Sequence, residues 1–197
     1  LTSGKAQEEA LTIPEGFTND QIKAKLVEAF SNFDTAAWDV QTRDLQGYLF
    51  PDTYRFSKSA SVKEIVEKMR LNFDRRVLTT SGIFETHSVE TLLHDTLIMA
   101  SLIEKEVQTP DDMKHVAGIF FNRLKIGMPL QTDTSSFTYK QKGLPPSPIN
   151  NPGMNAILAV LHPIETNDLY FITLKNHTAI FAKTFEEHVA NQKKYLK

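Results

Sequence analysis

Two carboxylates, Glu104 and Glu106, interrupt the most apolar stretch of the chain, which runs from about residue 88 to residue 107. Apolar residues occur there nearly all round at helical spacing, which predicts a helix buried on most sides. At about 100° per residue, Glu106 falls on the more apolar face of that helix. Burial disfavours a charged carboxyl, so we expect the pKa of Glu106 to be raised, as a general acid requires. Its neighbours on that face are Met99, Leu102 and Ile103.

The alternative interpretation is structural. Both glutamates lie near the end of the predicted helix, where they could be solvated or paired with a nearby cation. The candidate cations are Lys105, Lys114 and Arg123. A second polar cluster follows one helix later, and the turn at Gly127-Met128-Pro129 could bring Gln131, Thr132 and Asp133 back toward Glu106. Six aromatic residues could stack on sugars, although such residues belong more often to a core; they are Tyr48, Phe50, Tyr54, Tyr139, Tyr170 and Phe171.

The composition excludes several classes of function. The 197 residues carry 22 Lys+Arg against 24 Asp+Glu, a net charge of -2, without a basic run, so no nucleic-acid partner is expected. Cysteine is absent and the 6 histidines lack ligand spacing, so we expect no metal site and no cofactor. No stretch approaches the roughly 20 apolar residues that span a bilayer.

The elements that must position these residues are mostly helices with clear caps. Apolar spacing predicts a helix from Thr18 to about Phe33, and Thr109 with Pro110 opens another that Gly127 ends. Residues 45–54 are predicted as short extended pieces around a turn, and residues 169–174 and 178–182 as a hairpin. The predicted class is α+β, mostly helical. Capping boxes are found at Thr18/Gln21, Ser61/Glu64 and Thr184/Glu187.

Ordered motifs give the chain a family resemblance. They are GYLFPDTY at 47–54, ASLIEKE at 100–106, FNRLKIGMPLQTD at 121–133, KGLPP at 142–146 and NPG at 151–153. In this order they closely resemble the MltG or YceG-like family of endolytic murein transglycosylases, from about Thr12 to the end of the chain. The resemblance implies a mostly helical catalytic domain with a small β-sheet or hairpin and a lysozyme-like active-site helix.

The resemblance also implies a domain plan and a location. Residues 1–42 would lead from a LysM-like module that precedes them in the parent protein, and residues 43–197 would form the YceG-like catalytic domain. An N-terminal helix of the parent, absent here, would anchor it in the cell membrane with the catalytic domain outside the cytoplasm. The implied partners are peptidoglycan glycan strands and cell-wall synthesis proteins.

The implied reaction cleaves the β-1,4 bond between N-acetylmuramic acid and N-acetylglucosamine and forms a 1,6-anhydro ring, without a cofactor. Glu106 is the expected catalytic acid and base, and Glu104 remains its competitor. We expect the sugar to be bound by a further set of side chains. That set comprises Asn122, Gln131, Thr132 and Asp133, with Tyr48, Tyr54 and His177 as cleft walls.

The sequence departs from the family pattern at two places. After Asp133, relatives continue with a long insert of roughly fifteen to twenty residues, whereas here Thr134 to Phe137 lead almost directly to Tyr139. In addition, Lys175 and Asn176 precede His177 where relatives tend to have two glycines. Two other functions remain open: a muramidase-type hydrolase in which Asp133 activates water, and a non-catalytic glycan-binding or scaffold domain.

Overall fold

The computed structural model describes residues 8–79, 89–176 and 178–196, which form two compact units. The first unit contains the described residues up to Thr79 together with the later segment Asn150–Gly153. The second unit contains the remainder of the described residues. Residues on both sides of position 42 share one core in the first unit, and the domain boundary at residue 42 stays a prediction.

The first unit is a two-stranded antiparallel sheet packed with three helices. Its strands pair in the register Glu8↔Ser57 to Thr12↔Thr53. Alternate residues of the second strand, Tyr54 and Phe56, point into a core that surrounds the fully buried Trp38. The elements are β1 Glu8–Thr12, α1 Asn19–Ala29, α2 Thr35–Thr42, β2 Thr53–Ser57, α3 Val62–Phe73 and a π-helical turn at Asp74–Leu78.

A buried asparagine connects the late segment of the chain to the first unit. The side-chain oxygen of Asn151 accepts hydrogen bonds from the backbone N–H groups of Gly47 and Leu49, both at 2.9 Å. Its amide nitrogen donates to the Phe17 carbonyl at 3.0 Å and to the Asn19 side chain at 2.9 Å. A side chain that makes four buried hydrogen bonds fixes the loop that carries the aromatic motif at 47–54.

The second unit is built on a long central helix. Helix α4 packs against α7, and α7 also packs against α5, so the apolar sides of all three are buried together. A β-hairpin with the register Tyr170↔Ala182 to Thr173↔Ala179 carries the last helix on its strands. The elements are α4 Val89–Glu106, α5 Pro110–Lys125, α6 Phe137–Lys140, α7 Met154–Leu161, β3 Tyr170–Thr173, β4 Ala179–Ala182 and α8 Phe185–Tyr195.

Most of the predicted elements are confirmed, including the α+β class, the three capping boxes and the hairpin. The first helix is shorter than predicted: it ends at Ala29, and a separate helix α2 starts after Asp34, whose side chain caps it. Strand β1 was not predicted, because its sequence has no run of β-branched residues. Its pairing with β2, about forty residues away, stabilises it instead.

Within the described residues, no helix combines the length and apolar character that crossing a bilayer requires.

The Asn151 hydrogen bonds yield a stability prediction. Asn151→Ala removes the acceptor of two backbone N–H groups and the side-chain donor to Asn19, while the backbone N–H of residue 151 still binds the Phe17 carbonyl. We expect a loss of about 2–4 kcal/mol in the free energy of unfolding of the first unit. Urea titration followed by Trp38 fluorescence measures this, because Trp38 is the only tryptophan and lies in that unit. The exposed Asn32→Ala is the control. Equal midpoints for the two variants would contradict the prediction.

Candidate active site

Glu106 is the last residue of α4 and is half-buried. Leu102 and Ile103 on that helix, and Val107 just after it, are at most 2% exposed. The Thr173 hydroxyl donates a hydrogen bond to the Glu106 carbonyl oxygen at 3.0 Å, which ties the end of α4 to the hairpin. The carboxyl is therefore held by a helix that is packed on its apolar sides and fixed at its last turn.

The Glu106 side chain opens into a cavity of about 440 Å³ within the second unit. Its volume lies within the range of small-ligand sites. Three groups of residues form its walls: polar residues after α5, strand β3, and one face of α8. The polar wall consists of Arg123, Gln131, Asp133 and Tyr139. Strand β3 contributes Tyr170, Phe171, Ile172 and Thr173, and α8 with the residue after it contributes Phe185, His188, Gln192 and Leu196.

The surroundings of Glu106 favour its protonated form. Burial raises its pKa to about 7, and the nearby negative charge of Asp133 acts in the same direction. A backbone hydrogen bond from Asp133 and the charge of Arg123 oppose the shift without cancelling it. One carboxyl oxygen, Oε1, is buried without a hydrogen-bond partner among the described residues. An uncharged carboxyl tolerates this position far better than a carboxylate does.

Asp133 is held beside Glu106 by a tyrosine and by an unusual backbone turn. The Tyr139 hydroxyl donates to Asp133 Oδ1, and this hydrogen bond, followed by burial, raises the pKa of Tyr139 to about 12. Gln131 adopts φ 54°, a left-handed conformation uncommon for residues other than glycine. Non-glycine residues in this region cost of order 1–3 kcal/mol and occur often at functional sites.

Arg123 is a cation buried beneath the cavity wall, at 4% exposure. Its Nε donates to the Leu169 carbonyl at 2.6 Å, and Nη1 donates to the Leu130 carbonyl. The guanidinium also lies 5.5 Å from the centre of the Tyr170 ring. Arg123 therefore joins α5 to both segments that border the cavity, and its charge favours the ionised form of Glu106.

Sequence reasoning missed the part of the wall that α8 contributes. The Tyr170 ring lies 5.9 Å from Phe185 and 5.4 Å from His188, and Phe185 is 58% exposed. Burial, and then the charge of Arg123, lower the pKa of His188. The capping box at Thr184 was found, and helical spacing from it would have put Phe185, His188 and Gln192 on one face. Three of the six aromatic residues considered from the sequence do line the cavity: Tyr139, Tyr170 and Phe171.

Two of the predicted sugar-binding residues lie elsewhere in the second unit. Thr132 is 1% exposed, and its N–H donates to the Thr138 hydroxyl at 2.9 Å, so it supports the turn. The Asn122 amide donates to the carbonyl of Thr166 at 2.8 Å and to that of Asp168 at 3.2 Å. Asn122 borders a different cavity, beside the segment that precedes β3. Gln131 and Asp133 are thus the members of that predicted set that share the cavity with Glu106.

The remaining predicted residues are outside this cavity or outside the described residues. Glu104 is half-buried but does not line the cavity. Tyr48 and Tyr54 belong to the first unit, where Tyr48 packs 5.4 Å from Phe73 and the hydroxyl of the buried Tyr54 donates to the Phe50 carbonyl at 2.5 Å. His177 lies outside the described residues.

Comparison with known sequences places this site in a family. The sequence model of the YceG-like family matches residues 1–137 and 134–194, so the chain belongs to the YceG-like family. The two matched segments meet at residues 134–137, the place where the sequence lacks the insert expected from the resemblance.

Characterised relatives and a solved structure agree with that assignment. The endolytic murein transglycosylase of Bacillus subtilis is 35% identical over 214 residues, covering 91% of this chain and 59% of that protein. The protein of the same name from Streptococcus pneumoniae is 27% identical, covering 92% and 43%. The crystal structure of a YceG-like protein from Listeria monocytogenes superposes with a TM-score of 0.76 at 29% identity, covering 92% of this chain and 75% of that one. The chain spans about half the length of these curated relatives.

The burial of Glu106 predicts a pH-dependent stability. Its pKa is higher in the folded protein than in the unfolded chain, so the folded state binds more protons and becomes less stable as pH rises from about 4.5 to about 7. Glu106→Gln removes this penalty. We expect the variant to gain about 2–3 kcal/mol over the wild type between pH 5 and pH 8. Urea titration followed by circular dichroism measures the difference, and the exposed Glu28→Gln controls for the lost charge. A difference that does not change with pH would contradict the burial argument.

The contribution of Asp133 can be tested separately. Asp133→Asn removes the neighbouring negative charge but keeps the backbone hydrogen bond, so we expect the pKa of Glu106 to fall. A carboxyl-carbon NMR titration of labelled glutamate reports this directly. Asp111→Asn, an exposed change in the first turn of α5, is the control. If both variants leave the Glu106 titration where it is in the wild type, Asp133 does not act on it.

Proposed function

We propose that this chain carries the catalytic part of an endolytic peptidoglycan lytic transglycosylase, with Glu106 as its acid and base. The observation that carries the proposal is the half-buried Glu106 carboxyl, with its pKa raised to about 7, at the edge of a cavity that can receive a ligand. The names of the relatives from Bacillus subtilis and Streptococcus pneumoniae support the choice of substrate. The substrate is the glycan strand of peptidoglycan, cut within the strand.

In the first step, protonated Glu106 donates its proton to the glycosidic oxygen as the bond to C1 of N-acetylmuramic acid breaks. The leaving sugar departs with a free hydroxyl, and positive charge develops on the ring. Because burial raises the pKa of this carboxyl to about 7, it still carries its proton near neutral pH and can deliver it to a bound substrate. The departing proton leaves a carboxylate whose charge Arg123 and the Asp133 N–H stabilise.

In the second step, the Glu106 carboxylate removes the proton from the C6 hydroxyl of the same sugar. That oxygen attacks C1 and closes the 1,6-anhydro ring, so the proton returns to Glu106 and no water is consumed. One carboxyl thus serves both steps. Ordinary glycosidases divide these roles between two carboxylates.

In the parent protein, we infer that a membrane anchor outside this chain holds the catalytic part at the outer face of the cell membrane. Its substrate strands lie there, as do the cell-wall synthesis proteins that we expect as partners. Within residues 43–197, the proposed catalytic domain, the residues that line the Glu106 cavity all come from the second unit.

One observation favours a second candidate, a muramidase-type hydrolase. Asp133 lines the same cavity as Glu106 and is held by Tyr139, so a water between the two carboxyls could be activated for attack on C1. The products distinguish the two reactions. Mass spectrometry of digested glycan strands gives anhydro ends for the transglycosylase and ends one water heavier for the hydrolase.

Substitution of the two glutamates tests the assignment of the acid. Glu106→Gln keeps the shape of the side chain but cannot donate the proton, so we expect at least a 100-fold loss in strand cleavage. Glu104→Gln should keep cleavage within about threefold, because Glu104 does not line the cavity. The release of anhydro-ended fragments measures both. The reverse pattern would assign the role to Glu104, and cleavage by both variants at the wild-type rate would remove both glutamates from the acid role. Glycan binding by the wild type without any release of fragments would favour a binding or scaffold domain.

The pH profile of cleavage should report the same carboxyl. The acid form of Glu106 is required for the first step, so kcat/KM should be constant at low pH and fall about tenfold per unit above pH 7. Asp133→Asn should move this decline to lower pH, because it lowers the pKa of Glu106. A profile that rises through pH 7 would contradict the acid role.

A further inference from the structure

The first unit contains a groove of about 650 Å³ that shares no lining residue with the Glu106 cavity. It lies against strand β2, helix α3 and the π-helical turn that follows α3. Asp52, Thr53 and Tyr54 of the motif at 47–54 line it, but the proposed reaction does not use it. Its charged side chains are Asp52, Arg55, Lys68 and Arg75, and Tyr54, Leu71 and Asn72 also line it.

The groove has an excess of positive charge. Arg55, Lys68 and Arg75 are exposed, and within the described residues no carboxylate lies at ion-pair distance from any of them. The one acid of the groove, Asp52, is already paired with Arg76 at 3.2 Å. Burial alone would raise the pKa of Asp52, but hydrogen bonds from Asn72 and Thr53 and the charge of Arg76 lower it overall, so Asp52 is ionised and neutralises Arg76. Lys68 donates to the Arg55 carbonyl oxygen and Arg75 to the Asn72 side chain, both neutral acceptors, so the three positive charges are left to attract an anion.

The floor of the groove is a fixed polar network. Asn72 is 7% exposed, and its amide donates to Asp52 at 2.9 Å and to the Tyr54 hydroxyl at 3.1 Å. The Arg75 guanidinium donates to the Asn72 oxygen at 2.7 Å, which holds Arg75 over the floor. Arg75 belongs to the π-helical turn, a rare conformation that is often found at functional sites.

The shape and the apolar content of the groove indicate what kind of anion fits. Leu71 is 68% exposed within it, so a ligand that also has a small apolar group would bury that surface. The cations surround a concave site with a buried polar floor, whereas contact with a membrane surface favours basic residues that project outward. A short peptide with more than one carboxylate meets both requirements.

We propose that this groove binds a short acidic peptide, with Arg55, Lys68 and Arg75 contacting its carboxylates and Leu71 its alanyl side chains. The peptide stems of peptidoglycan have this chemistry, and the choice of a stem peptide rests on the function proposed above. Such a site would hold the peptide that is attached to a glycan strand, separately from the sugars themselves.

The test is peptide binding to the full chain, followed by NMR or calorimetry. The probe is the tetrapeptide N-acetyl-L-alanyl-γ-D-glutamyl-L-lysyl-D-alanine, whose two carboxylates outnumber its one amine, and its matched control is the same peptide with its carboxylates amidated. We expect the amidated peptide to bind at least about fivefold more weakly, since charge-assisted hydrogen bonds are lost. The double variant Arg55→Gln/Lys68→Gln should lose a similar factor. Lys63→Gln, an exposed change on the same helix outside the groove, should not.

Three results would overturn the proposal. One is equal affinity for the free and amidated peptides, and another is peptide binding that the double variant leaves intact. The third is that the protein does not bind the peptide but sediments with vesicles of phosphatidylglycerol and phosphatidylcholine, and that the double variant does not sediment with them. This result would assign the groove to a lipid surface. Because the readout is binding, it is independent of cleavage. If Glu106→Gln keeps full cleavage while the peptide binds as expected, the proposed function fails. If Glu106→Gln loses cleavage while the peptide does not bind, the proposed peptide site fails.

Discussion

The removal of water from one carboxyl group is the constraint around which the second unit is organised. A buried carboxylate without full hydrogen bonding is costly, and Glu106 has one oxygen without a partner among the described residues. Its position as the last residue of α4 adds to this, since the carbonyl end of a helix carries partial negative charge. The structure tolerates the group because it can hold a proton at neutral pH. The same property makes it useful as an acid.

The surroundings of this carboxyl balance opposing charges. Asp133 favours the protonated form, and Arg123, fixed to two backbone carbonyls on either side, favours the ionised form. A group that must give up a proton and then recover it needs neither form to be strongly preferred. Desolvation decides the direction of the pKa shift, the charge of Asp133 adds to it, and the charge of Arg123 limits its size. The packing of α4 against α7 and the Thr173 hydrogen bond keep the group in place.

The sequence was informative where structure is local. Caps at Thr18, Ser61, Thr109 and Thr184 define helix starts because a side-chain oxygen binds the N–H of a residue three positions on. The apolar face of Glu106 could also be predicted, because helical periodicity alone determines it. Strand β1, the α8 wall and the groove depend on residues far apart in sequence, which no local pattern reports. Thr132 and Asn122 were predicted from their motif as sugar ligands, but their hydrogen bonds are to the protein itself.

The assignment of Asn150–Gly153 to the first unit bears on how the protein is made. Asn151 bonds to Gly47, which precedes it by 104 positions, so the ribosome must synthesise most of the second unit before the first can be completed. Until then the backbone N–H groups of Gly47 and Leu49 lack the acceptor that they have in the folded protein. A fragment that ends after α3 would lack this contact permanently. The first unit is thus completed only by a segment that is synthesised after most of the second.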